Sequence, residues 1–151
     1  MEIRNIPTGT KEFMKICKYV EENINRENLH KNGGTLNYSN LTYDSDILFI
    51  AYDNETPVGY NSIVRYEDGF YVYQIAVKKE YQGKGIGTAM LKEAIEIAEK
   101  ENTFITAHVM YYNIPSQKMF TKQGFKKIKE NDEGNGFYIR TQKTITKGTE
   151  K

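Results

Sequence analysis

The fold is decided by the stretch Tyr81-Gln82-Gly83-Lys84-Gly85-Ile86-Gly87-Thr88. This stretch follows an apolar, β-rich run, Phe70 to Val77, and leads into a segment with helical periodicity, Gly85 to Glu101. Its three glycines carry no Cβ to keep a ligand from the backbone, and the first N–H groups of a helix have no intrahelical partner. The sequence therefore predicts a strand, an anion-binding loop and a helix, with positive charge added by Lys78, Lys79 and Lys84.

Two common phosphate-binding motifs do not fit this loop. The dinucleotide fingerprint G-x-G-x-x-G fails because its last glycine falls on Thr88 or on Met90. The Walker A loop fails because Lys84 is followed by Gly85 instead of Ser or Thr. The pattern Q/R-x-x-G-x-G/A does fit, at Gln82, Gly85 and Gly87. A tight turn between a strand and a helix, with no ligand, remains the alternative interpretation.

The segments that flank the loop predict a sheet with a helix packed on it. On the N-terminal side, three β-rich runs separated by two turns predict an antiparallel meander: Ile47 to Tyr52, Val58 to Tyr66 and Phe70 to Val77, with turns at Asp53 to Pro57 and Glu67 to Gly69. On the C-terminal side, the helix carries an apolar stripe that runs from Ile86 to Ala98. The next strand, Phe104 to Met110, follows that helix, so a parallel neighbour is expected.

The N-terminal part of the chain predicts one strand, one helix and one long loop. Met1 to Ile6 is a short strand, and Thr10 is the expected N-cap of an amphipathic helix that reaches Ile24. Cys17 lies on the apolar stripe of that helix, which favours a packed thiol over a nucleophile. The polar segment Asn25 to Asp46 is a long loop.

A second informative stretch runs from Asn113 to Phe125. Pro115 suits the first turn of a helix and Gly124 suits its C-terminal end, so a short helix is expected here. Two further strands follow, Phe125 to Glu130 and Phe137 to Gln142. In order and spacing, Asn113, Ser116, Gly124 and Phe125 match the pattern N-x-x-S-x-x-x-Y-x-x-x-G-F.

Together, the two stretches resemble the GNAT superfamily of N-acetyltransferases. The resemblance implies a mixed α/β (α+β) fold: a mostly antiparallel sheet of six to seven strands with a parallel splayed pair and about four helices. One domain is expected over residues 1–143, followed by a flexible tail over residues 144–151. At 151 residues, with 38% hydrophobic and 27% charged residues, the chain suits one globular domain.

The resemblance also implies acetyl-CoA as the co-substrate and no metal. The strand before the loop would pair with the pantetheine arm, the loop would hold the pyrophosphate, and the second stretch would contact the cofactor. For Asn113 and Ser116, helix capping is the alternative role. The implied cofactor-binding residues are Ile75, Ala76, Val77, Gln82, Gly83, Lys84, Gly85, Ile86, Gly87, Thr88, Asn113, Ser116 and Phe120.

One departure from the family pattern bears on mechanism. The tyrosine that the family uses to protonate the leaving thiolate is Phe120 here. In the strand before the glycine loop, the positions where some family members carry an acidic residue or a histidine hold Tyr71, Tyr73 and Gln74. We therefore expect direct attack of a neutral amine on the thioester, with proton removal through water lined by Tyr73, Tyr111 and Tyr112. Packing or acceptor contact is the alternative role of these tyrosines, and His108 is the rival base.

Composition restricts the partners more than it identifies the acceptor. A formal net charge of +1 gives no argument for nucleic acid or membrane, and the longest apolar run, Ile47 to Tyr52, is too short to span a bilayer. We expect a cytoplasmic protein without a charged, apolar leader. The resemblance places the acceptor near residues 25–46 and 130–136, where five acidic side chains suit a cationic amine: Asp44, Asp46, Glu130, Asp132 and Glu133.

Several alternatives stay open at this point. The acceptor is a small amine, an antibiotic, a protein N-terminus or a lysine side chain, and a homodimer is one alternative for the assembly. Phe120 also allows a CoA-binding module without turnover. A nucleotide-binding or purely structural α/β domain is the third alternative.

Overall fold

The computed structural model describes residues 1–25 and 42–142. Seven strands form one sheet in the order β1-β2-β3-β4-β5-β7-β6. The strands are β1 (Glu2–Ile6), β2 (Ile47–Asp53), β3 (Thr56–Tyr66), β4 (Gly69–Val77), β5 (Ile105–Val109), β6 (Lys126–Glu130) and β7 (Gly136–Arg140). The α-helices in the described ranges are α1 (Lys11–Val20), α2 (Ile86–Lys100) and α3 (Ile114–Lys122). The described ranges also contain a π-helical turn (Glu21–Asn25) and a 3-10 turn (Lys79–Tyr81).

The predicted mixed sheet is confirmed. β4 and β5 are the parallel pair, with Phe70 opposite Ile105 and Val72 opposite Ala107, and β4 continues beyond this register to Val77. The pairs β1–β2, β2–β3, β5–β7 and β6–β7 are antiparallel. Residues 26–41 of the predicted loop Asn25 to Asp46, and the whole predicted tail 144–151, lie outside the described residues. A single domain over residues 1–143 stays a prediction.

Two compact units make up the chain. Unit 1 comprises Met1–Val64 and Tyr73–Glu93, and unit 2 comprises Arg65–Val72 and Ala94–Lys151. Each unit is described by itself below.

Helix α1 packs on the sheet of unit 1 through its predicted apolar stripe. Thr10 caps the helix, because its hydroxyl accepts a hydrogen bond of 3.0 Å from the amide of Phe13. Phe13, Cys17 and Val20 are buried against a cluster that includes Leu48. Burial raises the pKa of the Cys17 thiol to about 12. Cys17 is thus a packed thiol, as its position on the stripe predicts.

A second apolar cluster of unit 1 packs the start of α2 against β2 and β3. Its buried members are Ala51, Val58, Ile86 and Met90, and a Cβ on Gly59 would lie only 3.1 Å from the Ala76 carbonyl and from the Met90 side chain. Glycine at this position of β3 therefore permits the close approach of β4 and α2.

The turn predicted at Asp53 to Pro57 is wrong in extent. Strand β3 begins at Thr56, and Pro57 lies opposite Tyr52 within the sheet. The register shifts between Ala51 and Tyr52, and such a bulge accommodates a proline that has no N–H to donate. Asn54, with φ 59°, makes the tight turn instead.

Unit 2 is built on the pairs of β5 with β4 and with β7. Its aromatic core contains Phe120, Phe125 and Tyr138, with the rings of Phe120 and Phe125 edge to face at 4.9 Å. Arg140 joins three elements, since its guanidinium donates to the Gln123 carbonyl at the end of α3 and to Glu99 of α2. At the edge of the sheet, every residue of β6 is exposed.

Candidate functional site

The glycine loop of unit 1 is open to solvent. Gly83 and Gly85 have φ of +78° and +83°, a conformation that only glycine adopts without cost. A Cβ built on either residue meets no described atom within 4 Å. Glycine is therefore required here by the backbone conformation, and the space beside the loop has room for a ligand.

Helix α2 begins directly after this loop. Its first residue is Ile86, which is buried, so the N-terminus of the helix is fixed against the core of unit 1. The first amides of a helix have no intrahelical acceptor and carry partial positive charge. The exposed side chain of Lys84 adds a full positive charge within the loop. A loop of this kind suits a phosphate or diphosphate.

The side chain of Gln82 acts within the chain. Its amide donates a hydrogen bond of 2.9 Å to the carbonyl of Val77, the last residue of β4. This bond ties the start of the loop to the end of the strand. The glutamine of the Q/R-x-x-G-x-G/A pattern thus has a structural role, whatever its contact with a ligand.

The predicted strand residues lie next to this loop in the chain. Ile75, Ala76 and Val77 form the end of β4, beyond the three residues that pair with β5. Ala76 is buried, while Ile75 and Val77 are partly buried against the cluster that contains Ile86. Unit 1 thus brings together the predicted residues of the strand, the loop and the start of α2.

The other predicted cofactor residues lie in unit 2, on α3. The Asn113 side chain accepts a hydrogen bond of 3.2 Å from the amide of Ser116, and Pro115 lies in the first turn. Asn113 is therefore the N-cap of the helix, which is the alternative role considered above. Phe120 is only 5% exposed and packs on Phe125, so its ring belongs to the core of unit 2.

The three candidate tyrosines do not share one unit. Tyr73 is partly buried on β4 in unit 1. Tyr111 and Tyr112 lie in unit 2 between β5 and α3, where they are 59% and 48% exposed and their rings meet edge to face at 5.3 Å. Unit 2 therefore presents a pair of aromatic side chains to solvent.

Two residues that the sequence did not indicate hold this tyrosine pair in place. The Asn135 side chain accepts a hydrogen bond of 2.8 Å from the amide of Tyr111. The Gln117 side chain donates to the carbonyl of Tyr111, also at 2.8 Å. Asn135 is buried and belongs to the turn that carries Glu133. The contact of Asn135 with Tyr111 spans 24 positions, so no local pattern reveals it, whereas Gln117 lies only 6 positions from Tyr111.

His108 of β5 is stacked on Phe137 of β7, with ring centroids 4.3 Å apart and an interplanar angle of 8°. Its Nε2 atom is buried and has no hydrogen-bond partner among the described residues. The stacking accounts for the position of the ring, while the unsatisfied nitrogen keeps His108 a candidate for proton transfer.

The described parts of the predicted acceptor regions carry exposed carboxylates, of which Glu130 is paired with Lys127 of β6. Asp44 and Asp46 are exposed on the segment before β2. Glu130, Asp132 and Glu133 are exposed at the β6–β7 turn. The rest of the predicted acceptor loop, residues 26–41, lies outside the described part of the chain.

Neither a metal centre nor a membrane span is found within residues 1–25 and 42–142. No group of three or more His, Cys, Asp and Glu side chains in these ranges lies close enough together to hold a metal ion. No helix in these ranges is long and apolar enough to cross a membrane.

Comparisons with known proteins identify relatives of this fold. The model of the acetyltransferase (GNAT) family matches residues 12–125. No curated protein matches the chain. The structure of PaiA N-acetyltransferase from Thermoplasma acidophilum in complex with coenzyme A is 16% identical, covers 93% of this chain and 99% of that chain, and has a TM-score of 0.70.

Two further structures show the same fold with different named activities. The aminoglycoside 6'-N-acetyltransferase from Enterococcus faecium is 12% identical, with a TM-score of 0.70 over 93% of this chain and 97% of that chain. The ribosomal-protein-S18-alanine N-acetyltransferase from Escherichia coli is 16% identical, with a TM-score of 0.64 over 93% of this chain and 94% of that chain.

Proposed function

Because the chain belongs to the GNAT family of acetyltransferases, we propose that it moves an acetyl group from acetyl-CoA to a primary amine. The transfer is direct, in a complex that holds both substrates. The observation that carries this proposal is the open glycine loop of unit 1, where Gly83 and Gly85 leave free space in front of the N-terminus of α2.

The residues of unit 1 fit acetyl-CoA in two ways. The loop from Gln82 to Thr88 binds the diphosphate through its amides, with Lys84 balancing the negative charge. The end of β4, from Ile75 to Val77, continues past the register with β5, and an extended pantetheine arm pairs with this stretch of backbone. In unit 2, Asn113 and Ser116 are the further cofactor contacts that the family resemblance implies, whereas the Phe120 ring is buried in the aromatic core.

The attacking amine has to be neutral. A lysine-like amine has a pKa of about 10.4, so its neutral form at pH 7 costs about 4.6 kcal/mol. The amine proton passes to ordered water, and the candidates to line that water are Tyr73 in unit 1 and, separately, the pair Tyr111 and Tyr112 in unit 2. The nitrogen then bonds to the acetyl carbon and gives up a second proton to the same water, the carbon–sulfur bond breaks, and CoA leaves as a thiolate.

The leaving thiolate needs less help than the amine. A thiol with a pKa near 8.5 gains only about 2 kcal/mol from protonation at pH 7, so solvent can supply this proton. Phe120 has no proton to give and is buried in the aromatic core of unit 2. The absence of an acid at Phe120 is therefore compatible with turnover.

For the acceptor, we propose a cationic amine. The exposed rings of Tyr111 and Tyr112 and the exposed carboxylates of Asp132 and Glu133 support this choice, since aromatic faces and carboxylates both attract ammonium groups. The acceptors named for two structures of the same fold, an aminoglycoside and a ribosomal protein, define two classes to test.

A second candidate function is a CoA-binding module with little or no turnover. The observation that favours it is the buried phenylalanine at position 120, where the family pattern has a tyrosine that acts as general acid. Such a protein would serve as a regulator or sensor, since cofactor binding alone would change its state.

A CoA-release screen separates the two functions. The protein is mixed with acetyl-CoA and one amine at a time: an aminoglycoside, a polyamine, a peptide with a free N-terminal alanine, and an Nα-blocked lysine. We expect thiol release above the hydrolysis background with at least one class. Stabilisation by acetyl-CoA without release would identify the binding module, and the absence of both would refute the proposed transferase.

A further inference from the structure

The residue directly before the glycine loop is held from outside the loop. Tyr81 precedes Gln82 and ends the 3-10 turn Lys79–Tyr81. Its amide donates to the Lys78 carbonyl at 2.9 Å, and the Lys78 amide donates to Val58 of β3 at 2.8 Å. The backbone before the loop is therefore fixed to the sheet of unit 1, and Tyr81 is the last residue of this fixed part.

The ring of Tyr81 packs where α2 begins. It is partly buried against the cluster that contains Ala51, Val58 and Ile86. Ile86 is the first residue of α2, so the cluster on which the ring packs contains residues of the sheet before the loop and of the helix after it. The Lys84 ammonium lies 5.6 Å from the centre of the same ring, within the range of a cation–π contact.

The hydroxyl of Tyr81 is held by a carboxylate from another strand. It donates a hydrogen bond of 2.6 Å to Asp53, the last residue of β2. This bond to Asp53 raises the pKa of Tyr81, with smaller contributions from desolvation and from the charge of Glu80. The phenol therefore keeps its proton, and so keeps the bond, throughout the neutral range.

We propose that Asp53 and Tyr81 are positioning residues for cofactor binding: the carboxylate holds the phenol, and the phenol ring sets the conformation of the loop from Gln82 to Gly87. This inference rests on the proposed function for its ligand, since the loop is where the diphosphate of acetyl-CoA binds. Neither residue touches the diphosphate. Both act through Ile86, Lys84 and the backbone between them.

Two variants that each remove one side of the bond test this proposal. Tyr81→Phe keeps the ring and removes only the hydroxyl, and Asp53→Ala removes the carboxylate that accepts its hydrogen bond. We expect each to raise the Kd of CoA, measured by isothermal titration calorimetry, and the KM of acetyl-CoA by about tenfold, because a hydrogen bond to a charged group is lost. The KM of the amine should stay within twofold of the wild-type value, which a general loss of folding would not produce.

The double variant and a matched control sharpen the test. Tyr81→Phe combined with Asp53→Ala removes the same single bond, so its Kd for CoA should be no higher than that of the weaker-binding single variant. A hundredfold loss would show that the two residues act independently and would overturn the proposal. Tyr66→Phe removes the hydroxyl of a tyrosine that is 62% exposed at the end of β3, and should leave the Kd of CoA unchanged.

A measurement without ligand keeps this inference separate from the proposed function. The amides of Gln82 and Ala89 donate to the carbonyls of Lys79 and Gly85 at the two ends of the loop. We expect hydrogen exchange at both amides to be at least fivefold faster in Tyr81→Phe than in the wild type, with no change at Ile50 in β2. If the wild type binds no CoA, the proposed function fails while exchange still tests the positioning. Unchanged exchange overturns the positioning role.

Discussion

The variant Gly85→Glu, compared with Gly9→Glu, tests whether Gly85 is needed only for its backbone conformation or also because the ligand occupies the space beside it. Gly85 in the loop and Gly9 before α1 have φ of +83° and +80°, and a Cβ on either meets no described atom within 4 Å. A residue with a Cβ costs about 1–2 kcal/mol in this conformation. We therefore expect Gly85→Glu and Gly9→Glu to lose the same free energy of unfolding. For a chain of this length, the loss lowers Tm by about 2–8 °C.

The two variants should differ once acetyl-CoA is added. Ligand at one hundred times its Kd stabilises a protein by about 2.7 kcal/mol, which raises Tm by about 5–11 °C at this chain length. Gly9→Glu should keep this increase, because Gly9 lies outside the loop. Gly85→Glu should lose it, because the new carboxylate occupies the open space and repels the diphosphate.

The assay is thermal unfolding of both variants and the wild type, followed by circular dichroism with and without acetyl-CoA. Gly9→Glu controls for the backbone cost and for the added negative charge. If Gly85→Glu retains the full increase in Tm, the diphosphate does not bind at this loop and the reasoning from the glycines is wrong. A larger loss of Tm in Gly85→Glu than in Gly9→Glu without ligand would show that the space beside the loop is not open.

Three further outcomes are expected. Asn113→Ala should lower the free energy of unfolding by about 1 kcal/mol, measured by chemical denaturation, because it removes the helix cap. Asn113→Asp should keep the cap but weaken CoA binding, measured by calorimetry, because it adds a negative charge. The rate of acetyl transfer should rise toward alkaline pH without an acidic plateau, and His108→Gln should keep this profile; a plateau that disappears in the variant would make His108 the base. Burial raises the pKa of Cys17 to about 12, so its stabilising contribution is complete below the unfolded pKa of about 8.5 and declines above it. The stability difference between wild type and Cys17→Ala should therefore shrink by about 2 kcal/mol between pH 8 and pH 10 in urea titrations.

The elements that the sequence predicted well are those with strong local signals. Gly85 and the apolar stripe after it locate α2, and Asn113, Pro115 and Gly124 locate α3 to within one or two residues. These signals work because capping, proline and positive φ act within one turn of the chain. The parallel pairing of β4 with β5 follows in the same way from the helix between them.

The features that the sequence missed depend on contacts between distant residues. The sequence predicts Pro57 in a turn, because the bulge that accommodates a proline in β3 depends on pairing with β2 and leaves no local signal. The bond between Asp53 and Tyr81 spans 28 positions, and the contact of Asn135 with Tyr111 spans 24. Neither contact can be predicted until the pairing register of the strands is known. For the same reason, the burial of Phe120 in an aromatic core was not evident from its place in a motif.

Strand β6 has a consequence for how the protein behaves at high concentration. It lies at the border of the sheet, all of its residues are exposed, and three of them are the lysines Lys126, Lys127 and Lys129. Like charges along an open border discourage a second molecule from adding its own strand there. Neutralising the lysines by acetylation, the very chemistry proposed for this fold, would remove that repulsion. A preparation left with excess acetyl donor should then turn viscous or form fibres, while an untreated one stays clear.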